Sequence, residues 1–253
     1  MTEKFNYKPI DNEGMDILSV IEKADKFNFW MYETIKPYCK GKILEIGSGI
    51  GNISQFFIKE KYNITLSDIR DNYCEILLDK FKTHQNGIEV INVDLVDQDF
   101  ESKYANYLGT FDTVFALNVI EHIHDDSLAL KNINKLLTKN GKVIILVPAY
   151  QALYNGIDKG LEHYRRYNQN LTNQILINGN FKIVKERYFN AMGIIGWYIS
   201  GKIQKNNTIP AEQMGLYNKL VPIFKIIDKL VFNKIGLSNI AVGIKEEQGI
   251  CNI

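Results

Sequence analysis

The chain has 253 residues, 45% of them hydrophobic, and 30 basic against 29 acidic side chains leave a formal net charge of +1. That is enough apolar material for one large domain, or one domain with an insertion, and it excludes broad electrostatic capture of nucleic acid. Cys39, Cys74 and Cys251 form no C-x-x-C pair, the opening "MTEKFNYKPIDNEG" lacks a signal peptide, and no apolar run reaches the roughly 20 residues of a membrane span, so a reduced, cytoplasmic protein without a structural zinc site is expected.

Before any strand, Ile17, Val20, Ile21, Ala24, Phe27, Met31 and Ile35 recur at steps of three and four. This predicts a helix within residues 15–40 that Pro37 stops. From Ile43 onward, β-rich runs alternate with helical patterns, the signature of a parallel sheet wrapped by helices. "KILEI" predicts a first strand, followed by glycines and a helix from Asn52 to Glu60. "NITLSDI" and the helical "NYCEILLDKFKT" follow, then strands at "IEVINVDL" and "FDTVFALNVI". Asp125 or Asp126 is placed to cap the next helix, which buries Leu128, Ile133, Leu136 and Leu137 and which Gly141 is placed to end. "KVIILVPA" is apolar enough for a strand covered on both faces, and "FKIVKERYF" and "LSNIAVGIK" predict two more strands.

Between those last two strands lies a helical insertion, residues 190–236, far longer than the usual connection of about 2 to 6 residues. Leu216, Leu220, Phe224, Ile227 and Val231 give it an amphipathic helix, with Pro222 placed to bend or restart it. Lys219, Lys225, Lys229 and Lys234 line one side of that helix. Three roles fit the insertion: an acceptor cap, a homodimer contact, or an interfacial membrane contact suited to a lipid-linked acceptor.

"ILEIGSGIGN" sets Gly47, Gly49 and Gly51 between a strand and a helix, where bare backbone lets a ligand approach closely. A dinucleotide fingerprint would need a third glycine where Asn52 stands, and Glu45 suits a ligand ammonium better than a pyrophosphate. Asp68 closes the second strand, where its carboxylate can accept from both ribose hydroxyls. Asp94 closes the third, where it can accept from an adenine amino group. Strand ends of an open α/β sheet share one crevice, so these acids converge on it.

The order E-x-G-x-G-x-G, "SDI", "VDL", "FDTVFALNVIEHI" resembles the class I S-adenosylmethionine-dependent methyltransferases over residues 40–185. The resemblance implies a Rossmann-like, seven-stranded, mostly parallel sheet with the last strand antiparallel, and S-adenosyl-L-methionine as cofactor. It implies that Glu45, Gly47 and Gly49, within the loop Ser48, Gly51 and Asn52 complete, meet the methionine part. Asp68 would meet the ribose, with Ile69 packing on adenine and Asp94 and Leu95 at its edge. Asn118 would lie near the sulfonium through its backbone. "LEHYRRY", "FNFWMYETIKPYC" and "LSNIAVGIK" further resemble a bacterial subgroup often found with glycan and cell-envelope glycosyltransferases. On that likeness Phe27, Trp30 and Met31 help close over the cofactor.

Methyl transfer is an in-line displacement in which the protein supplies alignment and water exclusion, with a base needed only when the acceptor must lose a proton. The candidates are Glu121, His122 and His124 in "NVIEHIHDD", and His163, Tyr164, Arg165, Arg166 and Tyr167 in "LEHYRRY". His163 is the expected base or orienting donor. One of the adjacent arginines is the expected clamp on an acceptor carboxylate or phosphate, and Arg165, Tyr164 and His122 join the expected acceptor wall. A salt-bridged surface loop is the alternative for this stretch. Glu121 and His122 are expected to hydrogen-bond at the crevice mouth, and His124 and His84 to be ordinary surface residues. "VIEHI" also resembles the Glu-His pair of ubiquinone-pathway O-methyltransferases and of the plant small-RNA 2′-O-methyltransferase. That alternative makes Glu121, His122 and His163 a metal site, although Asn118 stands where a second glutamate would be. The expected activity is O- or N-methylation of a small-molecule or glycan-type acceptor. A cofactor-binding partner protein without catalysis is the rival from another class.

Overall fold

The computed structural model describes residues 12–84 and 87–246. Among them a seven-stranded sheet runs in the order β3-β2-β1-β4-β5-β7-β6. Its strands are β1 Ile43–Ile46, β2 Ile64–Asp68, β3 Val90–Asn92, β4 Phe111–Leu117, β5 Leu137–Pro148, β6 Phe181–Phe189 and β7 Ser238–Lys245. The first five pair in parallel, and β7 inserts antiparallel between β5 and β6. Helices α1 Asn12–Glu22 and α2 Asp25–Ile35 precede the sheet. Along it follow α3 Ser54–Lys59, α4 Asp71–Phe81, α5 Phe100–Lys103, α6 Asp126–Leu136, α7 Gly156–Gly160 and α8 Gln169–Asn178. The insertion contributes α9 Ala191–Tyr198, a π-helical turn Ile199–Ile203 and α10 Ala211–Leu230.

Alternation along the central strands divides the core in two. Val114, Ala116, Val143, Ile145 and Val147 face one side, where α6 and α8 cover them with Leu130, Ile133, Leu136, Ile175 and Leu176. Phe115, Ile144 and Leu146 face the other, covered by Ile35 of α2, Phe57 of α3, Leu77 of α4 and Phe224 of α10. Phe115 is fully buried and stacks on Phe57 at 5.2 Å, so truncating it to alanine costs about 3–5 kcal/mol.

Two expectations are corrected here. The N-terminal periodicity builds two helices rather than one: the chain breaks at Ala24 (φ −91°, ψ 60°), where the Asn28 Nδ2 donates to the Ile21 carbonyl. Gly141 does not end α6, which stops at Leu136 because residues 137–141 already belong to β5. As one of the two expected candidates, Asp125 does cap α6, accepting from the Leu128 N–H at 2.8 Å. Pro222 sits inside α10, which continues through it to Leu230.

The insertion lies on the same side of the sheet as α2 and is latched to it. Asn218 accepts from the Phe27 N–H (3.1 Å) and donates to Asp25 (2.7 Å), and Lys225 pairs with Glu33. At its other end, buried Asp228 accepts from the N–H groups of Asn190 and Ala191, both at 2.7 Å, joining the end of α10 to the start of α9.

Candidate functional site

Strand β1 delivers Glu45 to the carboxyl edge of the sheet, and the loop after it turns through left-handed glycines. Gly47 has φ +68°, and a Cβ there would lie 2.5 Å from Val119 Cγ2. Only glycine fits a backbone held so close to the segment after β4. The Ser48 N–H donates to the Ser67 carbonyl (2.8 Å) and the Gly49 N–H to Asp68 Oδ2 (3.0 Å), so the end of β2 fixes the loop. Asn52, in place of a third glycine, is buried and donates to the Leu18 carbonyl of α1 (3.0 Å), tying the N-terminal helix over the loop.

The acids differ in state. Glu45 is buried and accepts from the Ser54 hydroxyl; desolvation pushes its carboxyl up to about 7. Asp68 is buried and raised for the same reason, with one oxygen accepting from Gly49 and the other from the Arg70 N–H (3.1 Å). A carboxylate offers about four acceptor sites, so Asp68 retains capacity for a pair of hydroxyls. Asp94 lies two residues beyond β3, half-buried, and its Oδ1 accepts from the Val96 N–H (2.9 Å). Leu95 is buried beside it, held through its carbonyl by Asn132 (2.9 Å), and Ile69 is half-buried. Asn118 ends β4 in a left-handed conformation (φ 54°), its N–H donating to the Leu146 carbonyl (2.8 Å).

The expected cofactor residues, all except Gly51, line one cavity of about 1920 Å³, which continues past Glu121, His122, His163, Tyr164 and Arg166 to Trp197, Met214 and Tyr217 of the insertion. Phe27 and Met31 line it as well. Trp30 does not, because its ring is packed on Phe189 at 4.3 Å. Gly51 instead lets α4 approach, a Cβ there falling 2.8 Å from Phe81.

The far wall is built around Asp158, which the sequence reading missed. Asn155 and Asp158 form a capping box at the start of α7. Asp158 is fully buried and takes hydrogen bonds from the Asn155 N–H (2.9 Å), Arg166 Nε (2.8 Å) and His163 Nδ1 (3.0 Å), and the last two partners hold its pKa down against desolvation. An ionised carboxylate only accepts, so Asp158 fixes the His163 proton on Nδ1 and leaves Nε2 with its lone pair. The paired arginines divide. Arg165 does not line the cavity: it bonds Asp126 (2.8 Å) and the His124 carbonyl (2.9 Å), which corrects its expected place in the wall. Arg166 faces inward, but Asp158 and the Ala149 carbonyl (3.0 Å) engage it and Trp197 lies against it at 4.6 Å, so it braces the loop. Tyr164 is 41% exposed at the cavity rim and packs on His124.

Glu121 departs from expectation. It is not at the mouth: it is fully buried, and neither carboxylate oxygen has a hydrogen-bond partner. Desolvation raises it to about 8. His163 Nε2 lies 4.0 Å from Oε1, and the His122 and His163 rings meet edge-on at 4.7 Å. Desolvation, aided by His163 and Arg70, pushes His122 down to about 3, so it is neutral. Ligand atoms of Glu121, His122 and His163 lie within 4.8 Å of one another.

Residues 44–143 match the family described as a methyltransferase domain. That stretch, which runs from β1 into β5, is a methyltransferase domain. The buried acids and glycine cradle fit an adenosyl amino acid rather than a pyrophosphate. A highly reducing polyketide synthase of Pyrenophora dematioidea is 26% identical over 164 residues, 55% of this chain but only 6% of that protein. The Haemonchus contortus phosphoethanolamine N-methyltransferase 2, solved with S-adenosyl-L-methionine, shares the fold: TM-score 0.57, 17% identity, covering 89% of this chain and 57% of that one. So does a putative methyltransferase from Bacillus halodurans, with TM-score 0.56, 12% identity and coverage of 85% and 99%. Among the described residues, no helix is long and apolar enough to cross a membrane.

Proposed function

We propose that the protein transfers a methyl group from S-adenosylmethionine to an oxygen or nitrogen of a small-molecule or glycan-type acceptor in the cytoplasm, and that it belongs with the glycosyltransferase-associated bacterial subgroup it resembles. The size of the cavity carries this reading. Ligand pockets usually enclose roughly 300–1,000 Å³, so about 1920 Å³ leaves room for an acceptor beside the cofactor.

Bound S-adenosylmethionine supplies an electrophilic methyl on a sulfonium that departs as a neutral thioether. Glu45 and the Gly47–Asn52 loop hold its amino-acid end, Asp68 the ribose hydroxyls, and Ile69, Asp94 and Leu95 the adenine. The backbone at Asn118 lies towards the sulfonium. Residues 15–40 act as a lid, and 190–236 cap the acceptor. His163 Nε2 takes the proton of an acceptor hydroxyl as its oxygen lone pair forms the new bond. The resulting imidazolium is stabilised by Asp158 at 3.0 Å; Glu121, which desolvation keeps protonated in the resting site, lies 4.0 Å away, where the new positive charge favours its ionised form. His163→Ala tests this reading: S-adenosylhomocysteine affinity is retained while turnover falls about 10²–10⁴-fold. Unchanged turnover overturns it, and loss of both signals would mean a collapsed loop, which circular dichroism detects.

The orphaned oxygens of Glu121 favour a second reading, a divalent metal held by Glu121, His122 and His163. Asp158 would then orient a ligand histidine, as metal-binding imidazoles commonly require, while one carboxylate leaves a hard cation short of charge. Protein stripped with EDTA that keeps full turnover excludes the metal.

A further inference from the structure

The outer surface of the insertion is used neither by the cofactor cradle nor by the acceptor wall. Ten of the fifteen exposed large apolar side chains among the described residues lie between Ile195 and Ile235. They form stripes. On α9 and its π-helical turn, Ile195, Ile199 and Ile203 follow one another at four-residue steps, 52%, 41% and 63% exposed. On α10, Ile223, Ile226 and Leu230 recur at steps of three and four, 53%, 58% and 70% exposed, on the side away from buried Val221, Phe224 and Asp228. Phe232, just beyond the helix, is 78% exposed. A helix apolar on its outer as well as its inner face has a second apolar partner to meet.

Charge selects the partner. Residues 191–236 contain six lysines against Glu212 and Asp228. Asp228 is buried on backbone N–H groups and Lys225 is paired with Glu33. The exposed remainder is Lys202, Lys205, Lys219, Lys229 and Lys234 against Glu212. Two such faces would repel one another in a homodimer. An anionic bilayer instead accepts apolar side chains below its headgroups and lysines among them. We infer that the outer face of α9 and α10 is an interfacial docking surface for anionic lipid membranes. Trp197, Met214 and Tyr217 of the same helices line the cavity, so docking would place the acceptor space next to the lipid surface.

The full chain is sedimented with vesicles of equimolar phosphatidylglycerol and phosphatidylcholine, and with phosphatidylcholine alone. Binding to the anionic vesicles that weakens with added salt is expected. Each lysine near such a surface contributes about 1 kcal/mol, so Lys219→Gln/Lys229→Gln/Lys234→Gln should bind on the order of a hundredfold more weakly. Ile223→Ser/Ile226→Ser/Leu230→Ser should release the protein as well. None of the six lines the cavity, so S-adenosylhomocysteine affinity should be unchanged in both variants, which certifies the fold independently of methyl transfer. Three results each overturn the inference: no sedimentation of the wild-type chain, undiminished binding by the lysine variant, or a stable homodimer that the apolar variant dissociates.

Discussion

Glu45 gives the sharpest test of the cofactor cradle. Its carboxyl is buried, raised to about 7 by desolvation, and bonded to the Ser54 hydroxyl. If it receives the ammonium of the cofactor's amino-acid end, only its ionised form binds well, and binding expels a proton. Half of the free protein is ionised at pH 7 and about one part in a hundred at pH 5, a change of about fiftyfold or roughly 2.3 kcal/mol. The dissociation constant of S-adenosylhomocysteine should therefore rise about fiftyfold from pH 7 to pH 5 while the bound carboxylate stays ionised. Calorimetry at pH 7 in buffers of different ionisation enthalpy should register about half a proton released per ligand. Glu45→Gln should bind more weakly at pH 7 and lose most of the pH dependence. A flat profile with no buffer dependence, or an unchanged slope in Glu45→Gln, refutes an ammonium at this carboxylate.

The same residue predicts the stability profile of the ligand-free protein. Its folded pKa lies above the ordinary value of 4.5, so the folded state binds the extra proton and stability falls as pH rises from about 4.5 through 7. The contribution is on the order of 3 kcal/mol, and Glu45→Gln should flatten that part of the denaturation midpoint against pH. Asp68→Asn leaves one acceptor oxygen where the Gly49 and Arg70 N–H groups use two, removes the charge proposed to face the ribose, and should weaken S-adenosylhomocysteine by at least tenfold in calorimetry. Asp158→Asn can donate to His163 and so present the wrong tautomer. Turnover should fall about 10²–10⁴-fold with cofactor affinity retained, whereas loss of both would make Asp158 purely structural.

The sheet was legible because parallel strands buried on both faces leave continuous apolar runs: "KVIILVPA" has no other home in a chain of this composition. The cradle was legible because it is local. Glu45 and the glycines lie within seven residues, and Asp68 shows its place by ending a strand. The far wall was not, because it depends on which way adjacent side chains turn. Periodicity is silent on whether Arg165 or Arg166 points inward; Asp126 on α6 and Asp158 on α7 decide it. Asp158 carried one signal, an acid three residues after Asn155, the spacing of a capping box, within a polar stretch that offered no periodic pattern. The break at Ala24 was hidden because apolar spacing carries on unchanged across a turn.

Glu121 separates the two chemical readings. A carboxylate with no exposure and no hydrogen bond is among the costliest groups a fold can hold, and charge there is tolerable only beside a cation. The Arg166 guanidinium offsets only part of the desolvation, and the surroundings allow two further cations. One is His163 after it has taken the acceptor proton, when Glu121 at 4.0 Å lowers the energy of the imidazolium. The other is a metal ion within reach of Glu121, His122 and His163. Glu121→Gln keeps the shape and removes the charge. In the first case the variant should retain a reduced, EDTA-insensitive turnover, up to roughly a thousandfold below wild type for a charge at this distance and an effective dielectric of about 20, and a folded state at least as stable. In the second, it should lose both turnover and any thermal shift produced by divalent ions in the wild-type protein. A variant with wild-type turnover and no response to metal would leave the buried carboxylate without a part in either chemistry.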